Sequence, residues 1–288
     1  MKIIVRLSGG LGNQLFQLNA GIYAAKTLST HEIFLDTRFL SKYQIGRDFG
    51  LKFTLNHLTS FSFFLESPGL SAWASKLRLG RIFDSSLGKY AFVNSLSRLQ
   101  KLSRNTFQLV VLDGYFQYPH ITLPKIERTA LFAKLSQEYS YVKHNYFQNT
   151  SFPVVSIHIR RGDFVTSKAA ANVFKTVSLN YYRAAVHLFP SNVCFMVFGD
   201  DPLITGEFAK EIGGIDIASR RLSLIEEFML MALCDHNIIA NSTFSWWAAY
   251  LGDRIGKRVI APRDWYVDLV RNQSNPLLLP HFELLSTI

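Results

Sequence analysis

The stretch that most restricts what this chain can fold into is VVSIHIRRGDF, residues 154–164. Val154, Val155, Ile157 and Ile159 are β-branched and read as a buried strand, and the polarity reverses abruptly at Arg160. Charge therefore arrives where the strand should end. Arg160, Arg161 and Asp163 cluster around Gly162, which lets the backbone turn tightly and approach a ligand. In an open α/β sheet that place lies in the crevice beyond the carboxyl ends of the strands, where ligands bind. Two adjacent guanidinium groups there suit a phosphate, because arginine presents a planar fork of donors that lysine lacks. An ion pair among Arg160, Arg161 and Asp163 accounts for the same residues without a ligand. His158 weakens that reading: strand alternation sends it to the face opposite Ile157 and Ile159, close to the arginines.

A chain of 288 residues can bury a large core and suits two domains of ordinary size. We expect them at 1–148 and 149–288, with the polar segment Asn145–Pro153 as linker. The composition, 48% hydrophobic and 18% charged, excludes extensive disorder. No apolar run reaches the roughly 18 residues that span a bilayer, and the chain opens directly on a short strand, so a cytoplasmic protein is expected. Cys194 and Cys234 sit in apolar segments without CxxC spacing, which suggests neither a disulfide framework nor a zinc site. The net charge of +10 calls for an acidic partner: nucleic acid, a phosphorylated substrate or an anionic membrane. Lys76, Arg78, Arg81, Lys89, Arg98, Lys101 and Arg104 alternate with apolar residues including Trp73, Phe83 and Phe92. That pattern fits amphipathic helices resting on lipid headgroups, or equally a solvated helix face.

Other strand ends repeat the theme. Ile3–Val5 leads into SGGLGNQ and then an apolar helix, which places Gly9, Gly10, Gly12 and Asn13 at a helix N-terminus, an anion cradle. The spacing lacks a full GxGxxG, so a dinucleotide reading is disfavoured. Phe107–Leu112 runs into DGYFQYP, where Tyr115 and Phe116 serve either as core or as a stacking wall for a sugar or base. Val193–Phe198 delivers Asp200 and Asp201, which offer three roles: a divalent metal, hydrogen bonds from guanine or ribose, or capping of the next helix. The absence of a nearby third acid or histidine weakens the metal role. After Ile238–Ala240, the residues Asn241, Ser242, Thr243 and Ser245 crowd hydroxyls and an amide at a helix start, where capping alone needs one.

GGLGNQLFQ, GYFQ, HIRRGDF, FGDDP and ANSTFSWWAAYLG, in this order, resemble the bacterial α-1,2-fucosyltransferase family, relatives of the α-1,6- and protein O-fucosyltransferases. The resemblance runs from Gly9 to Pro262, and HxRRxD with NSTFSWW is its specific part. It implies a GT-B-like α/β fold, two Rossmann-like domains facing a cleft, with GDP-fucose held mainly by the C-terminal one and no metal required. By the same resemblance Arg160 would bind the β-phosphate and stabilise departing GDP, with Arg161 in support. His158 and one of Asp200 or Asp201 would contact guanosine, and Ser242, Thr243 and Ser245 the phosphates or fucose. Asn13, with Gly10 and Gly12, would face fucose from the N-terminal domain. The reaction implied is an inverting displacement by a galactose 2-hydroxyl on an acceptor glycan. Asp163 is the candidate base, since VTSKAAAN beyond it holds no carboxylate, and a loose, oxocarbenium-like route needs no strong one. Phe164 stands where many relatives carry tyrosine. The competing classes are a different GDP-sugar or acceptor hydroxyl on the same fold, and a nucleic-acid-binding protein, for which no module is visible.

Overall fold

A computed structural model describes residues 1–40, 49–65, 83–85, 88–102, 109–147, 151–161 and 168–287. They form two compact α/β units, Met1–Leu131 and Phe132–Ile288, each built on its own sheet.

In the first unit, strands β1 (Lys2–Arg6), β2 (Glu32–Asp36), β3 (Ser62–Leu65), β4 (Phe83–Ser85), β5 (Gly88–Val93) and β6 (Leu109–Leu112) are ordered β3-β2-β1-β6-β5-β4. All neighbours are parallel except β4 and β5. Ile3, Ile4 and Val5 are wholly buried, and each such side chain is worth about 1.5–3 kcal/mol on removal from water. Helix α1 (Leu11–Leu28) is buried on nearly every side, including Gln14, Gln17 and Asn19. Buried amides need partners, and these have them. Gln17 receives the Ser8 N–H at 2.9 Å and donates to Ser8 Oγ, Gln14 donates to the Gly9 carbonyl, and Asn19 accepts from the Leu123 N–H. The glycine-rich turn is thus stitched to the helix it opens.

Three strands of this unit fall between Arg38 and Arg104. Lys89 and Phe92, expected on amphipathic helices, belong to β5. Much of that lipid-contact region, including Lys76, Arg78, Arg81 and Arg104, lies outside the described residues. Among the described residues no helix is long and apolar enough to cross a membrane.

The second unit contains β7 (Val154–Ile159), β8 (Cys194–Gly199), β9 (Ile215–Asp216), β10 (His236–Ile238), β11 (Val259–Pro262) and β12 (Glu283–Leu285). They are all parallel, in the order β12-β11-β10-β7-β8-β9. This is the doubly wound 3-2-1-4-5-6 arrangement, whose strand order reverses between β7 and β10. The helices involved are α2 (Lys125–Glu138), α3 (Ser140–Phe147), α4 (Leu179–Val186), α5 (Pro202–Glu211), α6 (Leu224–Leu233) and α7 (Thr243–Leu251). Val155, Ile157 and Ile159 pack against Tyr181, Tyr182, Ala185, Phe208 and Ala209 of α4 and α5. The division falls inside α2, earlier than the boundary expected at residue 148, because α3 packs on α6 of the second unit. Residues 148–150 of the expected linker lie outside the described residues.

Candidate active site

β7 delivers its charges to the point where the strand order reverses. Residues 154–159 are buried on both faces, and Arg160 and Arg161 are half-buried at the strand's carboxyl end. The Arg160 guanidinium lies 2.9 Å from Asp200 Oδ2, and the Arg161 backbone N–H donates to Asp200 Oδ1 at 2.8 Å. Asp200 is thereby committed to holding the arginine turn. Its neighbour Asp201 is the N-cap of α5, accepting from the N–H groups of Leu203 and Ile204, with Pro202 in the first turn. The adjacent carboxylates have separate duties. A third feature fixes their approach: a Cβ on Gly199 would lie 2.5 Å from both the Ile159 carbonyl oxygen and Thr205 Cγ2, so only glycine lets β8 come this near to the end of β7.

His158 points to the opposite face from Ile157 and Ile159, as strand alternation requires, and its ring lies 5.8 Å from that of Phe244. Burial, then the Arg160 charge, pulls its imidazole down to about 4, against a smaller opposing pull from Asp200. It is therefore neutral at ordinary pH, able to donate one ring hydrogen and accept at the other nitrogen. Nδ1 is buried and has no hydrogen-bond partner among the described residues.

The third strand end is that of β10. α7 begins at Thr243, with Ser242 as N-cap accepting from the Phe244 N–H at 3.3 Å. Thr243 is half-buried in the first turn, while Ser245 is buried and its hydroxyl donates to the Ser242 carbonyl. Asn241, expected to face a phosphate, instead spends its amide hydrogens on the carbonyls of Lys175 (2.7 Å) and Trp265 (3.0 Å). Its side chain is 2% exposed, so it binds two loops together beneath the helix start. The structure thus gathers Arg160, Arg161, Asp200, Ser242 and Thr243 at adjacent carboxyl ends of one parallel sheet, with His158 behind them. Asp163 and Gly162 lie outside the described residues.

Sequence reading missed Tyr182, which is buried beside the Arg160 backbone and whose phenol burial pushes up. Glu227 was missed as well: burial raises its carboxyl to about 7, and it precedes Phe228, whose ring meets that of Phe244 at 5.6 Å.

In the first unit, Gly10, Gly12 and Asn13 lie where β1 passes into α1. Gly10 is the N-cap and makes no side-chain cap, Gly12 is buried within the first turn, and Asn13 Oδ1 accepts from Gln117 Nε2 at 2.9 Å. Gly9 has φ +76°, and a Cβ there would lie 2.5 Å from Asn13 Nδ2. The glycine is what allows Asn13 to occupy this place.

Two α/β units on largely parallel sheets, one carrying arginines and hydroxyls at its reversal of strand order, define an α/β fold that solved glycosyltransferases share. The fucosyltransferase NodZ from Bradyrhizobium superposes with a TM-score of 0.51 at 12% identity, covering 87% of this chain and 93% of that one. Residues 107–276 match glycosyl transferase family 11, and the chain belongs to that family. The O-antigen biosynthesis glycosyltransferase WbnK of Escherichia coli is 27% identical over 90% of this chain and 93% of its own length. An α-1,2-colitosyltransferase of Escherichia coli is 26% identical over 95% and 96%.

Proposed function

We propose that this family 11 glycosyltransferase moves L-fucose from GDP-β-L-fucose to the 2-hydroxyl of a galactose-terminated glycan, with inversion, giving an α-1,2 linkage. The observation that carries the reading is the Arg160–Asp200 pair at the reversal of strand order. A guanidinium held in place by a carboxylate and placed at this crevice is preorganised for the negative charge that grows on the β-phosphate as the sugar–oxygen bond breaks. Ser242 and Thr243, at the start of α7, add hydroxyl and N–H donors for the diphosphate. Neutral His158 and the arginine turn then face the nucleoside. Charge stabilisation in this scheme comes from protein groups, so a metal ion is not needed.

Relatives support both halves of the reading. A NodZ α-1,6-fucosyltransferase structure was obtained with GDP-fucose soaked in, and the α-1,2-colitosyltransferase names the linkage. The latter also favours a second reading, in which a GDP-linked colitose replaces fucose.

The test is transfer from GDP-fucose and from GDP-colitose to a panel of galactosides in EDTA, with the linkage of the product determined. An α-1,2-fucosylated product is expected, and Arg160→Ala should lower kcat/KM about a hundredfold or more while melting near the wild-type temperature. Preference for colitose would move the assignment to the second donor. Full activity of Arg160→Ala would remove the mechanism.

A further inference from the structure

In the first unit β1 lies beside β6, far from it in sequence, and apart from Asn13 the residues gathered at their carboxyl ends are not used by the donor scheme. β6 ends at Leu112 and is followed by Asp113, Gly114, Tyr115, Phe116, Gln117 and Tyr118. Phe116 is 4% exposed and has φ +48°, a left-handed backbone that a bulky residue adopts only against strain. The buried ring anchors the loop, and its neighbours on either side are turned outward. Tyr115 is 44% exposed, and Gln117 is half-buried. Gly114 lies close under the ring, its Cβ position 3.1 Å from the Asn94 carbonyl oxygen and 3.3 Å from Phe116 Cε2.

Polar groups lie in the same loop and at the neighbouring strand end. Gln117 donates to Asn13 Oδ1 at 2.9 Å, joining the carboxyl ends of β6 and β1 and leaving the Gln117 carbonyl oxygen as an acceptor. Asp113, itself 43% exposed, is held by Arg6 at 2.9 Å, and that arginine is buried against Phe39 and Phe92. An aromatic face beside an amide pair and a fixed carboxylate is the chemistry that recognises a pyranose. The ring takes the C–H face and the polar groups take the hydroxyls. A phosphate does not suit this place, because the carboxylate repels it and the nearby cation is already paired. Galactose suits it well: its axial 4-hydroxyl leaves a contiguous patch of C–H groups on the other face.

We infer that Tyr115, Gln117, Asn13 and Asp113 form the acceptor-sugar subsite, with Tyr115 as its platform. The inference rests on the reading of the chain as a galactoside-directed transferase. It assigns acceptor recognition to the first unit's strand ends, and to Tyr115 of the GYFQ stretch.

Tyr115→Ala, Tyr115→Phe and Gln117→Leu, each checked by its melting temperature, are compared with wild type for KM of a galactoside acceptor and KM of the donor. Tyr115→Ala should raise acceptor KM about tenfold or more with donor KM within about twofold, and Tyr115→Phe should retain most of the wild-type affinity. Gln117→Leu reads the same subsite should Tyr115→Ala fail to fold. Acceptor KM within about twofold of wild type in both Tyr115→Ala and Gln117→Leu would overturn the assignment. So would a donor KM that rises in step, which would make the sugar the donor's. Saturation-transfer NMR of wild type and variant with galactose-terminated oligosaccharides makes the comparison without turnover. A wrong donor therefore fails in the assay while the subsite still reads by NMR, and a wrong subsite fails in both.

Discussion

Removal from water lowers the His158 imidazole to about 4 and raises the Glu227 carboxyl to about 7, so both groups favour their uncharged forms in the folded state. The consequences for stability have opposite slopes. Glu227 is raised above its ordinary value, so its contribution is full below the unfolded pKa and is lost as pH climbs towards about 7. His158 is lowered, so its contribution is full above its ordinary value and is lost as pH falls towards about 4. We therefore expect Glu227→Gln to melt above wild type at about pH 8 and to match it at about pH 4. Equal differences at both pH values in thermal melts would show that Glu227 does not titrate in this range. The residue scale is also where sequence reading was least complete. His158 was legible because a strand's alternation fixes its face, and Arg160 and Arg161 because the change of polarity marks where the strand ends. Asp201 beside Pro202 was legible as a helix cap, but the hold of Asp200 on the arginine turn was not, since Arg160 and Arg161 are remote from it in sequence. Asn241 looked like a ligand residue because the carbonyls of Lys175 and Trp265 that occupy it are remote in sequence.

At the level of elements, the approach of β8 to β7 depends on Gly199. A methyl group there has no room beside the Ile159 carbonyl and Thr205, so Gly199→Ala must part the strands where they carry Arg160 and Asp200. The expected result is a loss of about 1–3 kcal/mol in urea unfolding together with a fall in kcat/KM. Wild-type stability and activity would mean that the strand ends relax freely. Elements with strong local signals were readable: β1, β7 and β11 are runs of buried aliphatic residues, and α6 carries a capping box at Ser223 and Glu226. β3 and β12 were harder for a physical reason: β3 is largely exposed at its sheet's edge and β12, also an edge strand, is half-buried throughout, so neither shows a buried periodicity.

For the whole molecule, donor and acceptor recognition are assigned to different units. Hydrogen exchange with GDP alone should slow amides around residues 158–161, 199–203 and 241–245 and leave 113–118 at the unliganded rate. Protection confined to the first unit would overturn the donor assignment. Two α/β units were foreseeable from length and from strand ends that repeatedly carried glycine and charge. The boundary within α2 was not, because it depends on which unit α3 packs against. The strand order has one more consequence, for synthesis rather than recognition. In each sheet the strand made first lies at the centre and pairs with one made much later: Lys2 of β1 lies opposite Leu109, and Ser156 of β7 opposite Asn237. Neither central strand can fill both its hydrogen-bonding edges until the ribosome has delivered that distant partner. Each nascent unit therefore spends much of its translation with an open, apolar strand edge, the stage at which chaperone contact and aggregation compete with folding.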